Sequence, residues 1–112
     1  MACERFVLVT DTHGDMIDPA AEAAFWSFLR DFRPNIRVHL GDAFDLRALR
    51  RGASDDEAAE SIEQDVEAGM DFLRRYDPHC WLMGNHDDRL RATASTHPQK
   101  IVRDYCAKIW QL

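Results

Sequence analysis

"CWLMGNHDD", residues 80–88, is the stretch on which the reading of this chain turns. Cys80 to Met83 are apolar; the chain then leaves through Gly84 and presents an amide, an imidazole and two carboxylates in a row. A short apolar run that stops at a glycine reads as a strand buried on both faces. The residues after it are polar, as loop residues usually are, so their meaning depends on what ends the other strands.

Two other runs end in the same way. Phe6 to Val9 is continuously apolar and stops at Thr10-Asp11, with His13 two residues on. Ile36, Val38 and Leu40 mark a second short strand, which stops at Gly41-Asp42. Between these, residues 20–32 place Phe25, Phe28, Leu29 and Phe32 at helical spacing, bounded by Asp18-Pro19 and Arg33-Pro34-Asn35. Ser54-Asp55-Asp56-Glu57 forms a capping box, with acids where the helix N-terminus favours them. The helix it opens carries Ile62, Val66, Met70 and Leu73 and runs to about Tyr76, before Asp77-Pro78. Pro98 opens a last helix with Ile101, Val102, Tyr105, Ile109 and Trp110 on one face.

Strand and helix therefore alternate, which predicts an α/β fold: a parallel three-stranded sheet with flanking helices, joined by right-handed crossovers. No repeat, low-complexity tract or linker interrupts the chain, so residues 1–112 read as one domain. In such sheets ligands bind beyond the carboxyl ends of the strands. All three strands here end in residue types that ligate metals.

Composition sets the outer bounds. With 46% hydrophobic and 30% charged residues among 112, the chain has the balance of a soluble globular domain. No apolar run approaches the ~20 residues that span a bilayer, and the N-terminus lacks the basic and apolar regions of a signal peptide. Cys3, Cys80 and Cys106 are odd in number and widely spaced, unlike a disulfide framework or a CxxC zinc site; a cytoplasmic protein with buried thiols is expected. A net charge of −6 argues against a general electrostatic grip on nucleic acid. Nucleic acid stays open as a substrate, because carboxylates loaded with divalent cations lose that bias.

In "DTHGD", residues 11–15, Asp11 and His13 stand two apart on a strand exit and project the same way, so both can reach one ion. In "GDAFD", residues 41–45, the glycine lets the backbone turn tightly, and Asp42 suits a bridging carboxylate. Asn85 offers an amide oxygen, and His86 beside it can face a substrate. Oxygen and imidazole donors of this kind suit Mn, Fe, Ni, Zn or Mg. Arg47, Arg50 and Arg51 follow Asp45, and Arg89 follows Asp87; they read either as phosphate-binding guanidinium groups or as a solvated basic surface. Trp26, Trp81 and Trp110 read as core or interface anchors, His39 and His79 as strand residues, and Ser54 as a helix cap.

The ordered set DTH, GDxxD and GNHD, from Asp11 to Asp87, resembles the N-terminal half of the calcineurin-like metallophosphoesterases. The stretch from Gly41 to "GNHDDRL" is similar in particular to small phosphoesterases of phage and prophage genomes. The resemblance implies two divalent metal ions, Mn foremost. Asp11 and His13 would hold the first, Asp42 would bridge both, and Asn85 would hold the second. His86 would protonate the leaving oxygen or stabilise transition-state charge, and Asp45 would hold His86 or a metal-bound water. The implied activity is hydrolysis of phosphate mono- or diesters by a metal-bridging hydroxide, with nucleotides, nucleic acids and phosphoproteins as candidate substrates.

Family members continue into a second half that adds a lone histidine and a G-H-x-H. In this chain only His97 follows His86, outside any such motif. The expectation is thus half of the family's two-sheet α/β sandwich, with a second metal held only by Asp42 and Asn85. Its sheet would be covered by helices divided over both faces, by a C-terminal half, or by a second copy in a homodimer. The alternative function is a non-catalytic metal- or partner-binding remnant of the same fold.

Overall fold

A computed structural model describes residues 3–111. The expected parallel sheet is present, with β1 (Phe6–Val9), β2 (Ile36–His39) and β3 (Cys80–Trp81) in the order β1-β2-β3. Phe6 stands opposite Ile36 and Val9 opposite His39, while Val38 stands opposite Cys80 and His39 opposite Trp81. Every strand therefore delivers its carboxyl end to the same edge, which is where Asp11, Asp42 and Asn85 begin their loops.

β3 is shorter than the run 80–83 suggested, and the reason lies at that edge. The backbone at Gly41 passes so close to Gly84 that a Cβ on Gly41 would lie 2.6 Å from the Gly84 nitrogen. The strands stop pairing there, and loop packs on loop instead.

The helix α1 (Pro19–Phe32) starts as expected: the Asp18 carboxylate accepts from the Ala20 and Ala21 amides at 2.8 and 3.0 Å, with Pro19 in the first position. The helix anticipated over 54–76 is instead two, α2 (Asp55–Ala59) and α3 (Glu63–Tyr76). Ser54 caps the first as the capping box predicts, accepting from the Glu57 amide at 3.2 Å. The break falls where Glu60 adopts an extended conformation (φ −70°, ψ 145°) and its carboxylate takes the Arg47 Nε at 2.6 Å. A further helix, α4 (Asp88–Thr96), was not anticipated; it leads from the polar loop to α5 (Lys100–Trp110), the expected last helix.

α3 is the central helix, and it carries two adjacent buried stripes. Val66 and Leu73 pack with Phe44, Leu46, Leu90, Cys106 and Ile109, joining α3 to α4 and α5. Phe72 and Tyr76 pack with Val7 of β1 and with Phe25, Trp26 and Leu29 of α1. Tyr76 is buried, and its hydroxyl lies 3.0 Å from both the Val7 and the Val38 carbonyls, so one O–H ties the helix to two strands.

These contacts use one face of the sheet. Val7, His39 and Trp81 point into the helical layer, whereas Phe6 and Leu8 are 62% and 54% exposed, and Ile36, Leu40, Cys80 and Leu82 are exposed with them. The helices thus do not divide over the two faces. A parallel sheet normally has both faces covered, and a continuous apolar surface of this kind is unusual on a monomeric protein. The radius of gyration, 15.7 Å, exceeds the roughly 13 Å of a closed domain of this size.

Candidate metal centre

Beyond the sheet edge, the loop after β1 and the loop after β2 run side by side. The Asp11, His13 and Gly14 amides donate to the Gly41, Asp42 and Ala43 carbonyls at 3.0, 2.9 and 2.8 Å. This pairing needs an unusual backbone. Asp11, His13, Asp42 and Leu46 all have φ between 50° and 58°, the left-handed region that costs an ordinary residue about 1 kcal/mol or more. Aspartate tolerates that region better than most residues, and two of the four positions are aspartates. Strained backbone is concentrated where the metal-ligand residue types are.

Two buried carboxylates hold the second loop in place. Asp87, with no exposed surface, accepts from the Asp42 amide at 2.8 Å, the Phe44 amide at 3.0 Å and the Gly84 amide at 3.1 Å, with the Ala43 amide at 3.4 Å. Asp65 of α3, 2% exposed, accepts from the amides of Asp45 and Leu46. Five successive N–H groups, 42 to 46, are thus satisfied without a strand partner. Asp87, the first of the two carboxylates after His86, is thus a backbone clamp. Asp65 and Thr12 were not singled out from sequence.

On this frame the structure brings His13, Asp42 and His86 together, with one donor atom of each within 4.8 Å of the others. The His13 and His86 rings meet edge to face, their centroids 4.5 Å apart. Asp42 is buried, and one of its oxygens accepts the His86 amide at 2.8 Å, which leaves the other for a ligand. Asp11 Oδ1 lies 3.2 Å from His13 Nε2. Two donors bound to one ion at roughly 2.1 Å stand about 3 Å apart, so this spacing suits a shared ion. The Thr10 hydroxyl, 2.6 Å away, and then His13 hold the Asp11 carboxyl below its usual pKa, so it is ionised and ready to ligate. Asn85 sits exposed on the turn just before His86.

Asp45 organises both imidazoles. Its carboxylate meets His13 Nδ1 at 3.0 Å and lies 3.6 Å from His86 Nδ1, and its carbonyl accepts from His86 Nδ1 at 2.9 Å. Both histidines therefore donate from Nδ1, and Nε2 of His13 faces the Asp11 carboxylate. A carboxylate behind a histidine in this way fixes the tautomer and raises the ring's basicity toward a metal. Asp45 thus holds His13 through its carboxylate and His86 chiefly through its carbonyl.

His39 belongs beneath the site. It is fully buried, its Nδ1 accepts from the Gly41 amide at 3.1 Å, and its Nε2 donates to the Thr12 hydroxyl at 3.0 Å. Burial pushes its pKa below the usual 6.5, which keeps it neutral. It ties the two loops together and has no donor left for an ion.

The arginines are mostly engaged. Arg47 forms a two-pronged pair with Asp15 at 2.8 and 3.0 Å in addition to its bond to Glu60. Arg50 is paired with Glu57, and Arg51 is exposed. Arg89 donates to the Asp45 carbonyl at 2.8 Å, the same oxygen that His86 uses, which places it beside the imidazoles. No helix among the described residues is long and apolar enough to cross a membrane.

The ligand types at the strand ends, their order in the chain and the parallel sheet beneath them agree with one family. Residues 4–111 match the family model for calcineurin-like phosphoesterases. No curated protein and no solved structure matches the chain significantly. With the match spanning nearly the whole chain and the sheet delivering the same motifs to one edge, this chain belongs to the calcineurin-like phosphoesterase family.

Proposed function

We propose that the site hydrolyses phosphate mono- or diesters with divalent metal ions as cofactor. The observation that carries this reading is the convergence of His13, Asp42 and His86 donor atoms within 4.8 Å at the carboxyl edge of the sheet. The donors present are two imidazoles and carboxylates, a set that suits a divalent transition ion. Asp11 and His13 would hold one ion, Asp42 would be shared, and Asn85 would contribute its amide oxygen to a second. When bound, such ions neutralise charge on a phosphoryl group and supply a nucleophilic water at neutral pH.

The chain's own residues have separate tasks. Asp45 keeps His13 in the tautomer that presents Nε2 to a ligand. His86, its Nδ1 proton committed to the Asp45 carbonyl, has Nε2 left to give a proton to the leaving oxygen or to bind its developing charge. Arg89 lies beside it and is the arginine best placed to meet a phosphate. Arg47 would have to exchange its carboxylate partners for a phosphate, so it is assigned to holding the loop rather than to first contact with substrate.

The test is turnover of p-nitrophenyl phosphate and bis-p-nitrophenyl phosphate by Mn²⁺-loaded protein. Turnover is expected, and His86→Ala is expected to lower it by roughly 10²- to 10⁴-fold, the usual contribution of a proton-transfer group. Turnover that survives this substitution would remove His86 from the chemistry. Retention of metal without any turnover would favour the non-catalytic reading of the same fold.

A further inference from the structure

We propose that Asp65, a carboxylate on α3 that supplies no ligand, is the positioning residue of the metal centre, setting the spacing between the loop that carries His13 and the loop that carries Asp42 and Asp45. The proposal rests on the metal-centre reading above and adds a residue to it. Asp65 Oδ1 accepts the Asp45 amide at 3.0 Å, and Oδ2 accepts the Leu46 amide. The same Oδ1 presses on the other loop, since a Cβ on Gly14 would lie 1.9 Å from it. Gly14 also has φ +54°, so the position excludes a side chain on two counts. The Gly14 amide donates to the Ala43 carbonyl at 2.8 Å, which ties the two loops across the wedge that Asp65 forms.

Holding α3 in place does not need this carboxylate. Val66 and Leu73 already anchor the helix in one core cluster, and Phe72 and Tyr76 anchor it in the other. A buried carboxylate is an unfavourable way to add more adhesion, because its desolvation must be offset by hydrogen bonds. What it adds is direction. Two consecutive amides converge on one carboxylate only when the backbone turns as it does here, with Leu46 at φ 54°. That turn aims the Asp45 carboxylate at His13 Nδ1, 3.0 Å away, and the Asp45 carbonyl at His86 Nδ1, 2.9 Å away. A shift at Asp65 therefore reaches both imidazoles of the site, although Asp65 touches neither.

The test is the Mn²⁺ dissociation constant, followed by electron paramagnetic resonance, for the unmodified protein, Asp65→Asn, Asp65→Glu and the control Asp71→Asn. Asp71 lies on the same helix, exposed and paired with Arg74. Asparagine keeps the shape but turns an NH₂ group toward one of the two amide donors; glutamate keeps the charge and forces an extra methylene against Gly14. Both Asp65 variants are expected to bind Mn²⁺ about 10- to 100-fold more weakly, the usual effect of losing a residue that orients a ligand, with the Asp71 variant unchanged. Circular dichroism and melting in the same samples report the fold, and either variant suffices if the other does not fold. A folded Asp65 variant with a lower melting temperature and unaltered Mn²⁺ affinity would show that Asp65 is structural only, with the metal centre itself intact. An unmodified protein that binds no Mn²⁺ would overturn the metal-centre reading and this proposal with it.

Discussion

Replacing Asp87 with alanine is expected to cost about 3–5 kcal/mol of folding stability, read as a lower denaturant midpoint with little change in slope. The carboxylate is fully buried and accepts from the amides of Asp42, Phe44 and Gly84 at 2.8–3.1 Å. Removing it strands those donors, at roughly 1–3 kcal/mol for each that water cannot reach. Against a typical domain stability of about 5–15 kcal/mol, that is a large fraction. Asp87→Asn should fall between, since one carbonyl oxygen still accepts. Asp88→Ala, next in the chain, should leave the midpoint nearly unmoved, because Asp88 is an exposed carboxylate paired with Arg91 one helical turn on. Equal effects at 87 and 88 would contradict the clamp.

The second large effect is expected at Asp42, on function rather than fold. Asp42→Asn should abolish retained metal and lower any turnover by on the order of 10³-fold, about 4 kcal/mol of transition-state stabilisation. Asparagine is the informative choice. It tolerates the left-handed backbone at φ 55° and its carbonyl can still accept the His86 amide. What it loses is the negative charge offered between His13 and His86. Asp42→Ala would add backbone strain and confuse the two effects. A folded Asp42→Asn protein that keeps both metal and turnover would move the site elsewhere.

The legible part of this protein is the part written in periodicity and in strand ends. Phe6–Val9 and the alternation at Ile36, Val38 and Leu40 mark strands because β-branched and apolar residues stop abruptly at Asp11 and Gly41. The helix at 19–32 is marked by Asp18-Pro19 and by its phenylalanines. Less legible are features set by contacts distant in sequence. The break in the helix expected over 54–76 falls at Glu60, whose carboxylate is bonded to Arg47, thirteen residues earlier. α4 has Leu90 as its one buried side chain, so it shows little apolar periodicity to detect. Asp65 had a signal of its own. It stands in step with Gly69, Phe72 and Tyr76, a second stripe beside Val66 and Leu73, and a carboxylate in phase with a buried stripe needs buried donors. Asp87 resembles its neighbours in a polar run, and only the fold shows that it points inward while Asp88 points out.

Elemental analysis of the purified protein after Mn²⁺ loading and desalting checks whether the three strand ends form a metal centre. Retention of at least about one ion per chain is expected, abolished in Asp42→Asn. Equal and negligible metal in both proteins would contradict it.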